Sequence, residues 1–421
     1  MKRPEPLSSL PADQIESLVN VLDAVRDGAA ATRPEVARLT GLGRNVVTQR
    51  VSQLVAAGLL EEGRLGRSTG GRAPRELRFR AEAGVVLAAE LGATGIEVAV
   101  SDLAGRLTQI HSEDADVTDG PEPVLSRVAD LFDGLVGSLP AGTEVWGIGL
   151  GLPGPVEFES GTPVSPPIMP GWDMYDVRGF FGSRFDVPVW VDNDVNVMAL
   201  GELRGGLAAG HRDVVFVKIG TGIGAGLVSR GALHRGAQGC AGDIGHVAVG
   251  ESTIQCRCGQ LGCLEAHAGG FALARDGQEL ARSGASAQLA QAVAEGREVT
   301  AATVIHAAQR GDLAARELVT ASARLVGEAL ARIVNFFNPS LILVGGGVAS
   351  SGEMYLAEVR RSVLNRSLPL ATRSLLIKQS PLADYAGLRG AAFMVVDELL
   401  SLERLAASEP EKLVDPNLSR V

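Results

Sequence analysis

Apolar side chains along the first sixty residues recur every three or four positions, and further on they gather into short continuous runs. Ile15, Leu18, Val19, Leu22 and Val25 share one face and predict an amphipathic helix. Thr32-Arg-Pro-Glu35 predicts the start of a second helix, with Thr32 accepting from a free backbone amide and Glu35 reaching back. Val36 and Leu39 lead from it into Thr40-Gly-Leu-Gly43, a tight turn of the kind that joins two helices at a steep angle. A third helix is expected from about Arg44 to Ala57, with Val47, Val51, Leu54 and Val55 inward and Gly58 as a left-handed cap. The stretches at 59–63 and 77–79 then read as two strands flanking a glycine-rich, arginine-studded hairpin.

From Gly84 onward strand-like runs alternate with helical stretches, which predicts an α/β architecture. Val85–Leu91, Val214–Ile219 and Leu341–Val344 each run into a turn of small residues: Gly92-Ala93-Thr94, Gly220-Thr221-Gly222-Ile-Gly224 and Gly345-Gly346-Gly347. Such turns let backbone amides approach phosphates, although a single one also serves as an ordinary tight turn. Residues 271–335 are alanine-rich and helical, with Leu325, Ala329 and Ile333 on one face suited to packing. Residues 404–421 are polar and proline-punctuated and are expected to be disordered.

The chain has 421 residues, of which 46% are hydrophobic and only 4% aromatic, enough for two or three domains with cores of their own. Met1-Lys-Arg-Pro-Glu-Pro-Leu7 lacks the apolar stretch of a signal peptide and no apolar run reaches bilayer length, so a cytoplasmic protein with no membrane partner is expected. Net charge is −10, but residues 1–80 hold 13 Lys and Arg against 9 Asp and Glu, leaving +4 at this end and −14 elsewhere. Positive charge at one end points to a polyanion there. On the third helix Arg44, Asn45, Thr48, Gln49 and Arg50 are of the types that read base edges and phosphates, and Arg64, Arg67 and Arg72 of the hairpin suit the sugar-phosphate backbone. Helix, turn, polar helix and basic wing in this order predict a winged helix-turn-helix bound to double-stranded DNA; a small protein-interaction module is the plainer alternative.

Three of the four cysteines crowd into Cys256-Arg-Cys258-Gly-Gln-Leu-Gly-Cys263, with His246 upstream in Asp243-Ile-Gly-His246. Thiolates bunched beside an imidazole read as a structural zinc site, one ion per chain, in a Cys3His shell. The competing reading is a disulfide with one buried thiol, which a reducing compartment disfavours. Cys240 is left over and is expected to be a small buried hydrophobe.

Taken together these motifs resemble the ROK family of repressors, uncharacterised open reading frames and sugar kinases, over nearly the whole chain. The opening kinase motif Asp-x-Gly-Gly-Thr is matched by Glu90-Leu-Gly92-Ala93-Thr94, the sugar-binding Asn-Asp pair by Asn193-Asp194, and the second phosphate motif by Gly220-Thr221-Gly222-Ile-Gly224. Asp243-Ile-Gly-His246 and the cysteine cluster followed by Leu264-Glu265 match the most specific signature, and the wing run Gly70-Gly71-Arg72-Ala-Pro74 is typical of the transcription-regulator branch. The resemblance implies a winged helix-turn-helix over 1–80 and then a two-lobed actin-like fold: a first lobe over 81–198, to which 385–403 returns, and a second over 199–384 carrying the zinc. It implies that Asn193, Asp194, Asp243, His246 and Glu265 converge on a sugar, whose hydroxyls need the paired donors and acceptors that carboxylates and amides supply. The loops Gly151-Leu-Pro153-Gly154 and Pro166 to Trp172 match sugar-facing turns.

Two departures bear on function. Glu90 replaces the shorter Asp, and Ala93 puts a β-carbon where glycine would let a phosphate approach. The remnants Glu90, Gly92, Thr94, Gly220, Thr221, Gly222, Gly345 and Gly346 are therefore not expected to hold ATP and Mg²⁺ for efficient transfer, even though Asp194, the general base of a kinase, is retained. Asp243 also replaces the usual Glu, withdrawing one carboxylate by a methylene. The expectation is a sugar-responsive DNA-binding regulator of carbohydrate metabolism, a repressor acting as a homodimer or homotetramer, in which closure of the cleft shifts a linker at about residues 66–84. The alternative is a glucokinase-like ATP-dependent sugar kinase carrying a DNA-binding extension.

Overall fold

The computed structural model describes residues 11–65, 75–250, 252–382 and 385–406. Three helices open the chain: α1 (Ala12–Arg26), α2 (Arg33–Thr40) and α3 (Arg44–Ala56). Thr32 caps α2 by accepting from the Glu35 amide at 3.4 Å, and the Glu35 carboxylate reaches back to the Ala31 amide at 2.9 Å. Gly41 ends α2 at φ 71°, a conformation that lets the chain turn sharply into α3. An antiparallel pair follows, β1 (Leu60–Leu65) and β2 (Arg75–Phe79), with a register irregularity between Glu62 and Leu65. The Leu77 amide bonds the Ala31 carbonyl at 2.7 Å, pinning this pair to the start of α2.

The expected outward face of α3 is exposed at Arg44, Asn45, Thr48, Gln49 and Ser52, while Val47, Val51 and Leu54 are buried. Arg50 does not belong to that face. It is only 5% exposed, its Nε donating to Ser17 Oγ at 2.7 Å and its Nη1 to Gln53 Oε1 at 2.8 Å, so it ties α3 to α1. Position 50 lies three residues after Val47, which turns it inward along the helix. Arg64 is exposed on β1, whereas Arg67 and Arg72 lie outside the described residues.

The remainder is built on two five-stranded sheets. The first comprises β3 (Val85–Leu91), β4 (Gly95–Asp102), β5 (Leu107–Asp114), β6 (Val145–Leu152) and β9 (Val189–Asn193), ordered β5-β4-β3-β6-β9. Helices α4 (Pro121–Gly137) and α5 (Val177–Phe185) and the small hairpin β7 (Val156–Glu157) and β8 (Thr162–Pro163) fall between its strands in sequence. Helix α6 (Asp194–Gly205) leaves its last strand. The second sheet comprises β10 (Val214–Ile219), β11 (Ile223–Ser229), β12 (Ala232–Leu233), β13 (Leu341–Gly345) and β14 (Leu376–Gln379), ordered β12-β11-β10-β13-β14. Both sheets share one topology: three antiparallel strands in a meander, then two parallel ones added beside the first. Helices α7 (Leu264–Ala268), α8 (Gly270–Arg282), α9 (Ala287–Ala294), α10 (Ala301–Gln309), α11 (Leu313–Phe337), α12 (Glu353–Arg366) and α13 (Pro369–Thr372) accompany the second sheet. Ala329 is buried in its core, with Leu325 and Ile333 packed alongside.

The chain then returns to the first sheet as α14 (Ala386–Leu399). There α14 crosses α6 nearly backbone to backbone: a β-carbon on Gly390 would stand 1.6 Å from the Val197 carbonyl oxygen, and one on Gly201 would stand 2.1 Å from that of Ala386. One apolar cluster runs without a break from the head (Leu18, Leu22, Leu54) through Val86 and Ala99 of the first sheet to Leu388 and Val395 of α14. The tail expectation is corrected at its start. Leu402–Ala406 forms a short helix, α15, that packs on α1 and buries Leu405; residues 407–421 lie outside the description. Among the described residues no helix is long and apolar enough to cross a membrane.

Arg50→Ala is expected to lower stability by about 2 kcal/mol, because a buried charged hydrogen-bond donor and its ties to Ser17 and Gln53 are lost. Gln49→Ala, on the exposed face, should change it by less than ~0.5 kcal/mol; paired denaturant melts of the two variants check this.

Candidate functional site

The cysteine cluster closes on a knuckle. The Cys256 amide bonds the Gln260 carbonyl at 2.8 Å and the Gly259 amide bonds that of Cys256 at 2.9 Å, with Gly259 at φ 89° and Gly262 at φ 74°. The ligand atoms of His246, Cys256, Cys258 and Cys263 all lie within 4.8 Å of one another. Cys258 Sγ is 3.7 Å from Cys263 Sγ, and Cys256 Sγ is 3.6 Å from His246 Nδ1. Tetrahedral coordination with the bond lengths of zinc sets sulfur–sulfur separations of roughly 3.8 Å and sulfur–nitrogen separations of roughly 3.6 Å, so these four side chains fit one metal ion. All four cysteines are free, which rejects the disulfide reading. Cys240 is exposed, not buried; it follows Gly239 on a loop pressed against Val156. Burial pushes the Cys263 thiol up to about 12, so a metal must displace its proton to bind.

His246 presents Nδ1 to the cysteines while its Nε2 stands 3.9 Å from Asp243 Oδ1, placing Asp243 beside the cluster. Burial raises the Asp243 pKa, and the neighbouring His246 opposes the shift. Glu265, one residue into α7, accepts from the Ile223 amide at 3.0 Å through Oε2, and its Oε1 lies 4.0 Å from Cys256 Sγ. A β-carbon on Gly222 would meet that Oε2 at 2.3 Å. The missing side chain of Gly222 leaves room for this carboxylate. Glu265 also lines a cavity of about 40 Å³ with Thr221, Gly222 and Arg257, whose guanidinium lies 3.9 Å over the Phe271 ring.

Asn193 and Asp194 sit where β9 gives way to α6. Asn193 Oδ1 accepts from the Val195 amide at 3.0 Å and its Nδ2 donates to the Gly154 carbonyl at 2.7 Å, which leaves one lone pair and one N–H of the amide for a ligand. Asp194 is 9% exposed; Oδ1 accepts from the Val195 amide and Oδ2 from Lys218 Nζ at 2.9 Å. The two groups of polar residues are joined by β11, whose Ile223 amide holds Glu265 and whose Gly226 lies against Val195 of α6. Of the two loops matched to sugar-facing turns, Gly154 touches Asn193, but Trp172 turns into the core of the first sheet, fully buried with Nε1 bonded to the Val117 carbonyl at 3.1 Å.

The second and third small-residue turns meet at the end of β10. Gly346, at φ 90°, is pressed on the Ile219 backbone, and the Gly220 carbonyl accepts from the Gly270 amide at 2.8 Å. Gly345 is not part of an open turn: it ends β13, buried, where the Phe216 ring leaves 2.8 Å for a β-carbon. Thr94 is exposed, and the Gly92 amide closes its own turn on the Gly95 carbonyl at 2.8 Å. Glu90 is 9% exposed and its longer side chain runs against the first turn of α14, where a β-carbon on Gly387 would overlap its carboxylate at 1.6 Å.

Sequence reasoning missed Lys218. From β10 of the second sheet it donates to Glu90 Oε1 at 3.2 Å as well as to Asp194, both attached to the first sheet. Burial alone would lower its pKa, but the carboxylates of Asp194 and Glu90 outweigh it and hold the ammonium above the ordinary lysine range. The signal was legible: a single charge in the otherwise apolar strand Val214-Val-Phe-Val-Lys218-Ile219. A second missed pair is Asp192, fully buried, with Arg235, whose Nε donates to Asp192 Oδ2 at 2.7 Å and whose guanidinium lies 3.7 Å over Phe158.

Far from the cysteines, α6 ends in an ion network shared with the head. Arg204 reaches Asp397 of α14 at 2.7 Å and Asp27 at 3.6 Å, and Arg26 of α1 reaches the same Asp397 at 3.1 Å.

Comparison with known proteins separates the parts. The ROK family model matches residues 86–398. A xylose repressor of Caldicellulosiruptor bescii is 30% identical over 93% of this chain and 98% of its own. A glucokinase of Halalkalibacterium halodurans is 31% identical over 75% of this chain and 96% of its own. Among solved structures, a ROK family transcriptional regulator described as a homolog of the E. coli MLC protein superposes with a TM-score of 0.79 at 23% identity, covering 96% of this chain and 100% of that one. By the family model and by the span of the repressor match, the chain belongs to the ROK family.

Proposed function

We propose that this protein is a sugar-responsive, DNA-binding transcriptional repressor of carbohydrate metabolism without efficient kinase activity. The observation that carries the reading is the extent of similarity: the xylose repressor aligns along 93% of the chain, whereas the glucokinase aligns along 75% and spans 96% of its own length. What the repressor shares beyond the kinase-sized body includes the helical head. In that head α2, the turn at Gly41 and α3 form a helix-turn-helix, and β1 and β2 form the wing. Arg44, Asn45, Thr48 and Gln49 face outward at the N-terminal half of α3, the part that enters a major groove in such modules. Arg64, with Arg67 and Arg72 beyond it, would contact phosphates.

The effector is a neutral sugar. Asn193, Asp194, Asp243, His246 and Glu265 offer carboxylate acceptors and amide groups to hydroxyls, and His246 would bind zinc through Nδ1 and the sugar through Nε2. Zinc held by these four side chains would be structural, with no position left open for a substrate. It would fix the Asp243–His246 turn and Glu265 in one frame. Phosphoryl transfer is disfavoured by the Ala93 methyl in the first turn and by Glu90, whose carboxylate is held against α14.

Helix α6 supplies the route to the head. Its first residue is Asp194 in the sugar site and its last turn carries Arg204, which shares Asp397 with Arg26 of α1. A change at either end of this one rigid helix alters the other, and a ligand that favours one arrangement shifts the spacing of two reading heads in a dimer. Phe336 on α11, Leu370 on α13 and Leu368 just before it are exposed and give an apolar surface for self-association.

Three outcomes are expected. In anisotropy titrations with operator DNA, xylose or a related sugar weakens binding, Glu265→Gln blunts that response, and Gln49→Ala weakens DNA binding at every sugar concentration; the absence of any sugar effect, or brisk ATP-dependent phosphorylation of sugar, would refute the reading. Cys258→Ser should carry less than one zinc per chain by elemental analysis and melt at lower temperature, since structural zinc contributes folding free energy. Arg204→Ala should still bind both DNA and sugar but lose most of the coupling between them, measured as the ratio of DNA affinities with and without sugar.

A further inference from the structure

Glu90 and Asp194 project from adjacent ends of β3 and α6, each 9% exposed, and both carboxylates receive the same ammonium. Two carboxylates converging this closely in a poorly hydrated site cannot both stay ionised without a cation between them. In nucleotide-dependent phosphoryl transfer that cation is Mg²⁺, which takes carboxylate oxygens at ~2.0–2.1 Å in octahedral geometry. Lys218 Nζ, at 3.2 Å from Glu90 and 2.9 Å from Asp194, stands where an ion bridging the two would have to stand. It arrives from the other sheet on β10, with backbone neighbours Gly224 and Gly345 holding it in register, so its position is fixed by the strand ladder. Its side chain is 22% exposed, which leaves the ammonium at the cleft floor.

We infer that Lys218 is the specificity-determining residue of this cleft, a built-in cation that takes the place of a divalent metal between Glu90 and Asp194. Three consequences follow from charge and reach. A metal–nucleotide complex is excluded, because the ammonium occupies the bridging position and repels a second cation. Asp194 can accept a hydrogen bond from a sugar hydroxyl while its Oδ2 stays paired with Lys218 Nζ. The two sheets are tied across the cleft floor without any phosphate, so binding of a neutral sugar alone is enough to complete the closed arrangement. The inference deepens the proposed reading of the sugar site and concerns only the cleft.

The test is a Mn²⁺ titration followed by electron paramagnetic resonance, on the zinc-loaded full chain without DNA or sugar. Wild type is expected to show no stoichiometric Mn²⁺ uptake. Lys218→Met, which keeps the length and apolar stem but removes the charge, should bind one Mn²⁺ at least ~10-fold more tightly, as expected when two carboxylates lose their counter-cation. Adding Glu90→Gln to it should abolish that site. Lys218→Arg, which keeps a cation, should remain silent. Equal Mn²⁺ affinity in wild type and Lys218→Met, or a Mn²⁺ site in wild type that Glu90→Gln removes, would overturn the assignment. Should Lys218→Met fail to fold by circular dichroism, the wild-type and Lys218→Arg titrations still decide it, because a Mn²⁺ site in either contradicts a filled bridging position. Failure here leaves operator binding and its sugar response untouched, and loss of those would leave the Mn²⁺ result standing.

Discussion

The close crossing of α6 and α14 is the constraint on which the arrangement rests. Gly201 and Gly390 let the two helices approach until carbonyl oxygens occupy the space side chains would need. Helix α6 leaves the last strand of the first sheet and packs against β11 of the second, while α14 packs on β3 and β6. The apolar cluster shared by α14, the first sheet and the head, the packing of α15 on α1 and the Arg26–Asp397 pair link this helix pair to the head. A β-carbon at either glycine would therefore disturb the start of α6, its packing on β11 and the link to the head together.

Around this frame the polar groups are arranged so that each buried charge has an answer. Glu202, fully buried on α6, accepts from the Ser380 hydroxyl and from the Leu207 amide at 2.8 Å. Asp192 is met by Arg235 and Asn196, and Glu90 with Asp194 by Lys218. Arg235 and Lys218 both follow from the second sheet and both meet carboxylates attached to the first. The lobes of the proposed cleft are thus joined by ionic contacts, whose strength depends on local solvation and so on what fills the cleft. Head and body meet both through the apolar cluster and through the Arg26–Asp397 and Arg204–Asp27 pairs.

The conserved chemistry of a kinase body and the work of a regulator differ here by a few atoms. One methylene at Glu90 is accommodated by the missing side chain of Gly387, and one methyl at Ala93 narrows the first turn. Neither change touches His246 or Glu265, which depend on the cysteine loop and on β11 instead. The Asp243–His246 turn and Glu265 are held apart from Glu90 and Ala93, whereas Asp194 is tied to Glu90 through Lys218.

Much of this was legible in the chain itself. Helical periodicity gave α1, α2 and α3, since amphipathic spacing over whole turns is a local property, and the cysteine spacing with His246 marked four ligands that do come together. Local rules also assigned Thr32 and Gly41 their capping roles. They failed where position depends on distant partners. Arg50 looks like a groove-facing arginine until Ser17 of another helix claims it, Trp172 looks cleft-facing until Val117 does, and Gly345 looks like a phosphate turn until the Phe216 ring fills its space. The sequence by itself determined the element types of the head and the His246 and cysteine ligand set, because those follow from residue identity and spacing along one chain. Only the tertiary structure decided that Lys218 bridges Glu90 and Asp194 and that Arg204 shares Asp397 with Arg26, because a charge pair across 24, 128 or 193 positions is set by how sheets and helices pack, and no local periodicity encodes it.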